Sequence, residues 1–211
     1  TYLIDTGKSA EYIKNGGFRI EAEGEMRIYG AYSSAASAAA GKTVEMLHDY
    51  TGSDKIYSGS ADGVLDLGGH TYTSQDPNEI VQINYDNVNL TIQNGTLKSS
   101  RPALKSGGIT MLYNNGSLTL DKVTAAVPGA SYGIVTNGTK KENKITLKDS
   151  VLDVSEGFGI YFPSSGSVKI ENSVIKAKEG GVQICAGSLA VTGEKTQITV
   201  TGDPQPKTEG D

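Results

Sequence analysis

The sequence predicts an all-β parallel β-helix of about six to seven coils, with three short strands per coil and a short capping helix in front. Three observations predict it: a loose repeat of apolar strand residues, a constant order of strands within each repeat, and a composition rich in turn-forming residues. Of 211 residues, 27 are glycine, none is tryptophan and 36% are hydrophobic. This composition favours many turns and short strands over broad amphipathic helices.

The repeat is clearest in residues 144–154 (KITLKDSVLDV) and 167–177 (SVKIENSVIKA), which share one order of apolar, polar and serine positions. The inner apolar residues of the first strand form a first series with steps of 21 to 28 residues: Leu65, Leu90, Leu118, Ile145, Val168 and Leu189. A second series lies between its members: Val81, Ile109, Ile134, Ile160 and Val182. A third follows the first at once: Tyr72, Leu97, Ala125, Leu152 and Ile175. Strands of one series should stack about 4.8 Å apart, so coils stabilise one another by stacking.

The corner between the first and third strands has its own pattern. Asn94, Lys122, Asp149 and Asn172 each fall four residues after a first-series residue. Asn and Asp hydrogen-bond nearby backbone and tolerate unusual dihedral angles, which predicts a tight corner at this position. Lys122 departs from the pattern.

The chain is predicted to divide into three parts. Phe18 to Gly30 reads as two short strands around Gly24, and residues 33–41 as a short helix with Ser33 or Ser34 as N-cap and Gly41 at its C-terminal end. The helix is expected to cover the open end of the first coil, which begins near Val44. The parts are residues 1–42 (N-terminal cap), 43–202 (parallel β-helix) and 203–211 (linker-like tail). Both ends are typical of a segment cut from a longer protein.

Charge and cysteine content exclude several classes. The net charge is −5 and no cluster of Lys and Arg occurs, so we expect neither nucleic-acid binding nor direct membrane insertion. Cys185 is the single cysteine. It cannot form an intramolecular disulfide or a cysteine-rich metal site, and its apolar surroundings predict a buried, inert thiol. No cofactor or metal is predicted, because the stretches GSADG and DNVN offer too few oxygen ligands for Ca²⁺.

The stretches YSSAASAAAGKTVEMLHDY from Tyr32 and GVLDLGGHTYT from Gly63 resemble the opening of parallel β-helix proteins of the pectate-lyase-like superfamily. They also resemble β-helix modules of large exported surface proteins of Gram-positive bacteria. The resemblance covers about residues 32–202. It implies right-handed coils, three sheets and a secreted or cell-surface location. It carries no catalytic motif onto this chain.

Enzymes of that superfamily, by the same resemblance, act through outward-facing carboxylates, Ca²⁺ or a basic residue. The outward positions beside the second series hold no charge; they are Gln82, Thr110, Val135, Tyr161 and Gln183. Arg101, with Lys105 nearby, could serve a site built from a loop. No lyase or hydrolase arrangement is found, and an enzyme is therefore not the favoured interpretation.

Two functional hypotheses follow. The first is a non-catalytic module of an exported or cell-surface bacterial protein, serving as a stalk or adhesive surface. The alternative is a carbohydrate-binding or polysaccharide-processing β-helix that uses an exposed aromatic strand face. Strand alternation places Tyr161 outward, whereas it places Tyr85 and Tyr113 inward. The predicted partner is a host or plant glycan or a surface protein, and the predicted binding residues are Tyr161, Gln82, Thr110, Gln183 and Arg101.

Overall fold

A computed structural model describes residues 1–100, 104–112 and 114–203, and in these ranges it contains one α-helix, one 3-10 turn and 21 strands. Helix α1 is Tyr32–Ala39, and the 3-10 turn is Ser9–Tyr12. In chain order the strands are β1 (Tyr2–Ile4), β2 (Phe18–Ala22), β3 (Glu25–Tyr29), β4 (Thr43–Met46), β5 (Tyr50–Gly52), β6 (Ile56–Tyr57), β7 (Gly63–Asp66), β8 (Thr71–Ser74), β9 (Val81–Gln82), β10 (Asn89–Ser99), β11 (Leu104–Leu112), β12 (Ser117–Ala126), β13 (Ala130–Thr136), β14 (Lys144–Lys148), β15 (Val151–Val154), β16 (Phe158–Phe162), β17 (Ser167–Glu171), β18 (Val174–Ala177), β19 (Gly180–Ile184), β20 (Ser188–Thr192) and β21 (Gln197–Val200).

From β4 onward the chain forms a parallel β-solenoid of about six coils, which confirms the predicted fold class. First-series strands stack from β4 to β20, and second-series strands stack from β6 to β19. Strands β10 and β12 each contain a first-series and a third-series segment, so these two series form one bent sheet. The second-series strands form a separate sheet, called the second sheet below. Two hydrogen-bonded sheets therefore stand where the resemblance implied three.

The inward side chains stack in register from coil to coil. Leu90, Leu118, Ile145, Val168 and Leu189 are paired in that order, as predicted. The third-series column from Tyr72 to Ile175 is confirmed as well. Within the coils these columns are buried. Burying one Leu or Ile side chain contributes about 1.5–3 kcal/mol, so the columns are the main source of stability.

The predicted alignment of Leu65 with Leu90 is wrong by two residues. Leu65 pairs with Ile92, and Val44 pairs with Leu65 as expected. The reason lies in the corner of that coil, where Gly68 and Gly69 both have positive φ angles. These glycines lengthen the corner before the third-series strand, which moves the first-series strand along its neighbour without changing which face points inward.

The corners between the first and third strands share one backbone conformation. Asn94, Lys122, Asp149 and Asn172 have φ angles of 57°, 56°, 46° and 46°, the left-handed region. Lys122 thus occupies the same corner as its Asn and Asp counterparts, although its side chain does not favour it.

Buried serines reinforce two of these corners. The Ser150 hydroxyl accepts the N–H of Val123 at 3.0 Å, and the Ser173 hydroxyl accepts the N–H of Ser150 at 3.0 Å. Both serines are at most 3% exposed. The serine of the repeated pattern therefore links the backbone of one coil to the next where the strand ladder is interrupted.

An N-terminal cap closes the first coil. Strands β2 and β3 form the predicted hairpin, and β2 pairs antiparallel with β4, which ends the parallel stack. Arg19 on β2 binds Glu45 at 2.6 Å and Asp5 at 3.1 Å, holding the cap to the solenoid. Helix α1 packs against β2 and β4. Among the described residues, no helix has the length and apolar character needed to cross a membrane.

The predicted limits of this helix need correction. The N-cap residue is Ala31, which makes no side-chain capping bond, so neither Ser33 nor Ser34 has that role. The helix starts early because Tyr32 is buried, 2% exposed, against the first coil. At the other end Ala40 adopts the left-handed conformation, with Gly41 directly after it.

Replacing Lys122 by Asn should stabilise the protein. Asn tolerates the left-handed corner better than Lys, and we expect the free energy of unfolding to rise by about 0.5–1 kcal/mol. Urea unfolding followed by circular dichroism measures the change. The control is Lys176→Asn on an exposed strand position, which should bring no gain; equal gains in both variants would contradict the corner argument.

Candidate functional site on the second sheet

The outward side chains of the second sheet form one column along the solenoid. Tyr57 pairs with Gln82, Met111 with Val135, Val135 with Tyr161, and Tyr161 with Gln183. The pairing of Val81 with Thr110 places Met111 beside Gln82. Gln82, Tyr161 and Gln183 thus lie on one outer face, as the strand alternation predicts.

Thr110 does not belong to this face. It is 0% exposed and pairs with the inward residues Val81 and Ile134. Ile109 is also 0% exposed and belongs to the core, as predicted, so two consecutive side chains of β11 are buried. The register shifts in β11 around Gly107. A Cβ atom on Gly107 would lie 2.1 Å from the Thr110 carbonyl oxygen, so this irregularity requires glycine. Met111 takes the outward position instead.

Arg101, the remaining predicted binding residue, lies outside the described residues, as does Tyr113. Tyr85, predicted to point inward, is 50% exposed. The alternation fails there because β9 ends at Gln82, and Tyr85 belongs to the turn that follows. Tyr85 and Tyr57 line a groove of about 190 Å³ beside helix α1.

The second sheet is free of charge over most of its length. Strands β6, β9, β13, β16 and β19 contain no Asp, Glu, Lys or Arg. The bent sheet differs, since Lys148 faces Asp121 at 3.3 Å and Lys169 faces Glu171 at 2.6 Å. Charged side chains therefore form ion pairs on the outer face of the bent sheet, whereas most strands of the second sheet present uncharged side chains to solvent.

Three aromatic rings meet on this face, and we call Tyr132, Phe158 and Tyr161 the aromatic cluster. The ring centroid of Tyr132 lies 5.9 Å from that of Phe158 and 5.9 Å from that of Tyr161. Tyr132 is 37% exposed, and the other two rings are partly exposed. Phe158 lies over Gly180, where a Cβ atom would approach its ring to 2.2 Å. The glycine allows the Phe158 ring to lie close to the neighbouring strand.

Cys185 borders the aromatic cluster and is exposed, so the prediction of a buried thiol is wrong. It follows β19 in the last described coil, where little structure covers it. The Cys185 thiol lies next to the Tyr161 hydroxyl and raises the pKa of Tyr161, because a nearby thiolate disfavours a second negative charge; partial burial adds to the effect. Tyr161 therefore remains a neutral hydroxyl at physiological pH.

A buried charged network, which the sequence analysis missed, lies beside the second sheet. The Glu79 carboxylate, 8% exposed, accepts the N–H of Met111 at 3.0 Å and faces Lys55 Nζ at 3.4 Å. Lys55 also lies 3.7 Å from Asp76. The network joins residues of three successive coils. No local pattern reveals it, because its members are far apart in the sequence.

Burial raises the pKa of Glu79, although Lys55 and the Met111 N–H act in the opposite direction. The carboxylate is too enclosed to reach a substrate, and its geometry is that of a link between coils. Among the described residues, no group of three or more His, Cys, Asp or Glu side chains could hold a metal ion.

A polar groove of about 420 Å³ lies elsewhere, at the turns that lead into the first-series strands. Its side chains are engaged in linking coils: Asn89 donates to Asp62 at 3.0 Å, and the Asn115 side chain accepts the N–H of Glu142 at 3.1 Å. The aromatic cluster is the stronger candidate for ligand binding, because three partly exposed rings meet there on strands that carry no charged residue.

Comparison with protein-family models, curated proteins and solved structures finds no match to this chain. The class of protein established by the structure is the parallel β-solenoid.

Replacing Glu79 by Gln should change the pH dependence of stability. The raised pKa means that native Glu79 binds a proton more readily than the unfolded chain does, whose carboxyl has a pKa of about 4.3. The wild-type protein should therefore gain stability relative to the Gln variant as the pH falls from the raised pKa of native Glu79 to the pKa of the unfolded carboxyl.

Urea unfolding across this pH range measures the difference. The matched control is Glu21→Gln at an exposed position of β2, for which the same gain is not expected. Parallel pH profiles for wild type and Glu79→Gln would contradict the assignment.

Proposed function

We propose that this chain is a non-catalytic module of an exported or cell-surface bacterial protein and that its second sheet is an adhesive surface. The observation that carries the proposal is the aromatic cluster on a charge-free face. Its rings stand on β13 and β16, strands held on both sides by neighbouring strands. A rigid scaffold of this kind limits the entropy lost when a ligand binds.

The exported setting and a relation to the pectate-lyase-like superfamily belong to the same proposal. Their support is the coil architecture and the resemblance of the segments that begin at Tyr32 and Gly63. A stalk would need the same coils but no exposed aromatic cluster, so the cluster favours adhesion over a spacer role.

A glycan is the ligand class that the cluster fits best. Aromatic rings offer flat apolar faces for the C–H surfaces of sugars, and Gln183, exposed and paired with Tyr161, adds an amide for hydrogen bonding. The absence of charge on strands β13, β16 and β19 favours a neutral sugar, from a host or plant glycan, over an acidic one. A polysaccharide-processing role would require a carboxylate or base beside the cluster. The register neighbours of Tyr161 are Val135 and Gln183, which supply neither.

The first experiment is a glycan array with the purified 211-residue chain, with and without Ca²⁺. We expect neutral glycans to bind equally in both conditions. Dependence on Ca²⁺, or binding confined to acidic glycans, would contradict the proposed face. A blank array with folded protein would contradict the glycan assignment and leave a protein ligand as the adhesive partner.

Replacing Tyr161 by Ala should weaken binding of the array hit by at least tenfold, which corresponds to about 1.4 kcal/mol. Tyr161→Phe should retain most of the affinity, because it keeps the ring. Titration calorimetry measures both. Tyr2→Ala, at an exposed tyrosine outside the second sheet, is the control and should bind as wild type. Unchanged binding by Tyr161→Ala would exclude the cluster as the site.

A further inference from the structure

The groove beside helix α1 has a lining that differs from the aromatic cluster. Helix α1 packs against β6, and the groove lies between this helix and the turns that follow β6 and β9. Its lining includes Ser33 and Ala36 on the helix and Tyr57, Ser60 and Tyr85 on the strand and turns, and we call it the tyrosine groove. Its volume is about 190 Å³, and none of the lining residues that the structure describes is charged.

Both tyrosine rings of this groove are open to solvent. Tyr57 is 37% exposed and Tyr85 is 50% exposed. Single exposed aromatic side chains are normal on a protein surface, whereas several that line one cavity are typical of a ligand site. The rest of the described lining consists of serine, alanine and glycine, so the two rings are the largest contact surfaces that the groove offers.

Hydrogen bonds between neighbouring coils hold the two tyrosines in place. The N–H of Ser58, the residue after Tyr57, donates to the Gln82 carbonyl at 3.0 Å. The Ser58 hydroxyl accepts the N–H of Asn84, directly before Tyr85, at 3.4 Å. Ser58 is 6% exposed, so these bonds are shielded from water. The groove is therefore formed before a ligand arrives, which limits the entropy lost on binding.

The charge around the groove favours an uncharged ligand. Asp86 follows Tyr85 in the chain but is not part of the described lining. Its carboxylate accepts the N–H of Asn115 at 2.9 Å and lies 4.0 Å from Lys141 Nζ, so it is engaged with later coils. An anionic ligand would find no cation in the groove, and a cationic ligand no carboxylate, so neither would recover the hydration that it loses on entering.

An uncharged sugar ring matches these groups. Its C–H faces can pack on the rings of Tyr57 and Tyr85, and its hydroxyls can exchange hydrogen bonds with the hydroxyls of Ser33 and Ser60. The volume is below the ~300–1,000 Å³ of pockets that enclose drug-sized ligands, which suits a single ring. We propose that the tyrosine groove is a second sugar-binding site of this chain, for one uncharged sugar ring held against Tyr57 and Tyr85.

This site is separate from the aromatic cluster. Strands β9, β11 and β13 lie between β6, which carries Tyr57, and β16, which carries Tyr161. At ~4.8 Å for each strand step, β6 and β16 are about 19 Å apart, too far for one sugar ring to contact both tyrosines. The inference therefore does not depend on the function proposed for the cluster.

Nuclear magnetic resonance of the isotope-labelled 211-residue chain tests the proposal. The probes are the methyl glycosides of glucose, galactose, mannose and N-acetylglucosamine, with methyl glucuronide as an acidic counterpart. We expect at least one neutral probe to shift the amide signals of residues 57–60 and 84–86 in a saturable manner. The glucuronide should shift them less than any neutral probe that binds, because the groove offers no cation. This measurement uses the wild-type protein and is independent of any variant's folding.

Replacing Tyr85 by Ala should weaken binding of that neutral probe by at least tenfold, because it removes one of the two rings. Tyr85→Phe should retain most of the affinity, because it keeps the ring. Tyr85 is exposed in a turn, so we expect both variants to fold. Tyr161→Ala is the matched control. It removes a tyrosine of the aromatic cluster and should leave binding in the tyrosine groove unchanged.

The proposal would be overturned by the absence of shifts at residues 57–60 and 84–86 with all four neutral probes, or by a Tyr85→Ala variant that binds as wild type. A synthetic proline-rich peptide that shifts these amides where the sugars do not would also overturn it and assign the groove to a protein ligand. Shifts confined to the aromatic cluster would support the adhesive second sheet and contradict the groove. Shifts in the groove that persist in Tyr161→Ala would support the groove even if the cluster binds no glycan.

Discussion

The structure depends on the stacking of inward apolar side chains from one coil to the next. A single coil encloses too little volume to bury its own Leu, Ile and Val residues, so these side chains are buried by packing against the coils on either side. The last described coil has a described neighbour on one side, and its apolar side chains are partly exposed. Val191 continues the column of Leu147 and Ile170, yet it is 47% exposed where they are fully buried. Burial in this protein is therefore a property of position in the stack as much as of residue type.

Stacking of this kind requires that the register stays constant, and the corners maintain it. A slip of one residue would turn every inward side chain to solvent. The left-handed residues between the first and third strands and the buried hydroxyls of Ser150 and Ser173 fix where each strand begins. Strand β11 is the place where the register is not constant. Its irregular pairing around Gly107 and Thr110 turns a polar side chain into the core.

Apolar period and strand alternation are sufficient to predict the fold, because both follow directly from stacking. They place the third-series column and the second series in the core, and they place Tyr161 and Gln183 on the outer face. They fail where local pattern and burial separate. Tyr85 lies beyond the end of its strand, Thr110 follows an irregularity in its strand, and Cys185 is exposed in the last described coil. The Glu79 network could not be predicted either, since its members come from different coils and each alone reads as a surface charge.

The two sheets differ in the charged residues on their outer faces, and this difference explains why we propose a binding surface on the second sheet. On the bent sheet, outward charges pair across coils, as Lys148 does with Asp121, and such pairs reinforce the register. The outward positions of β13, β16 and β19 make no charge pair of this kind, so their side chains are available for other contacts. The same coils that hold the core therefore align Tyr132, Phe158 and Tyr161 without further cost, because the ring positions follow from a register that the apolar columns already fix.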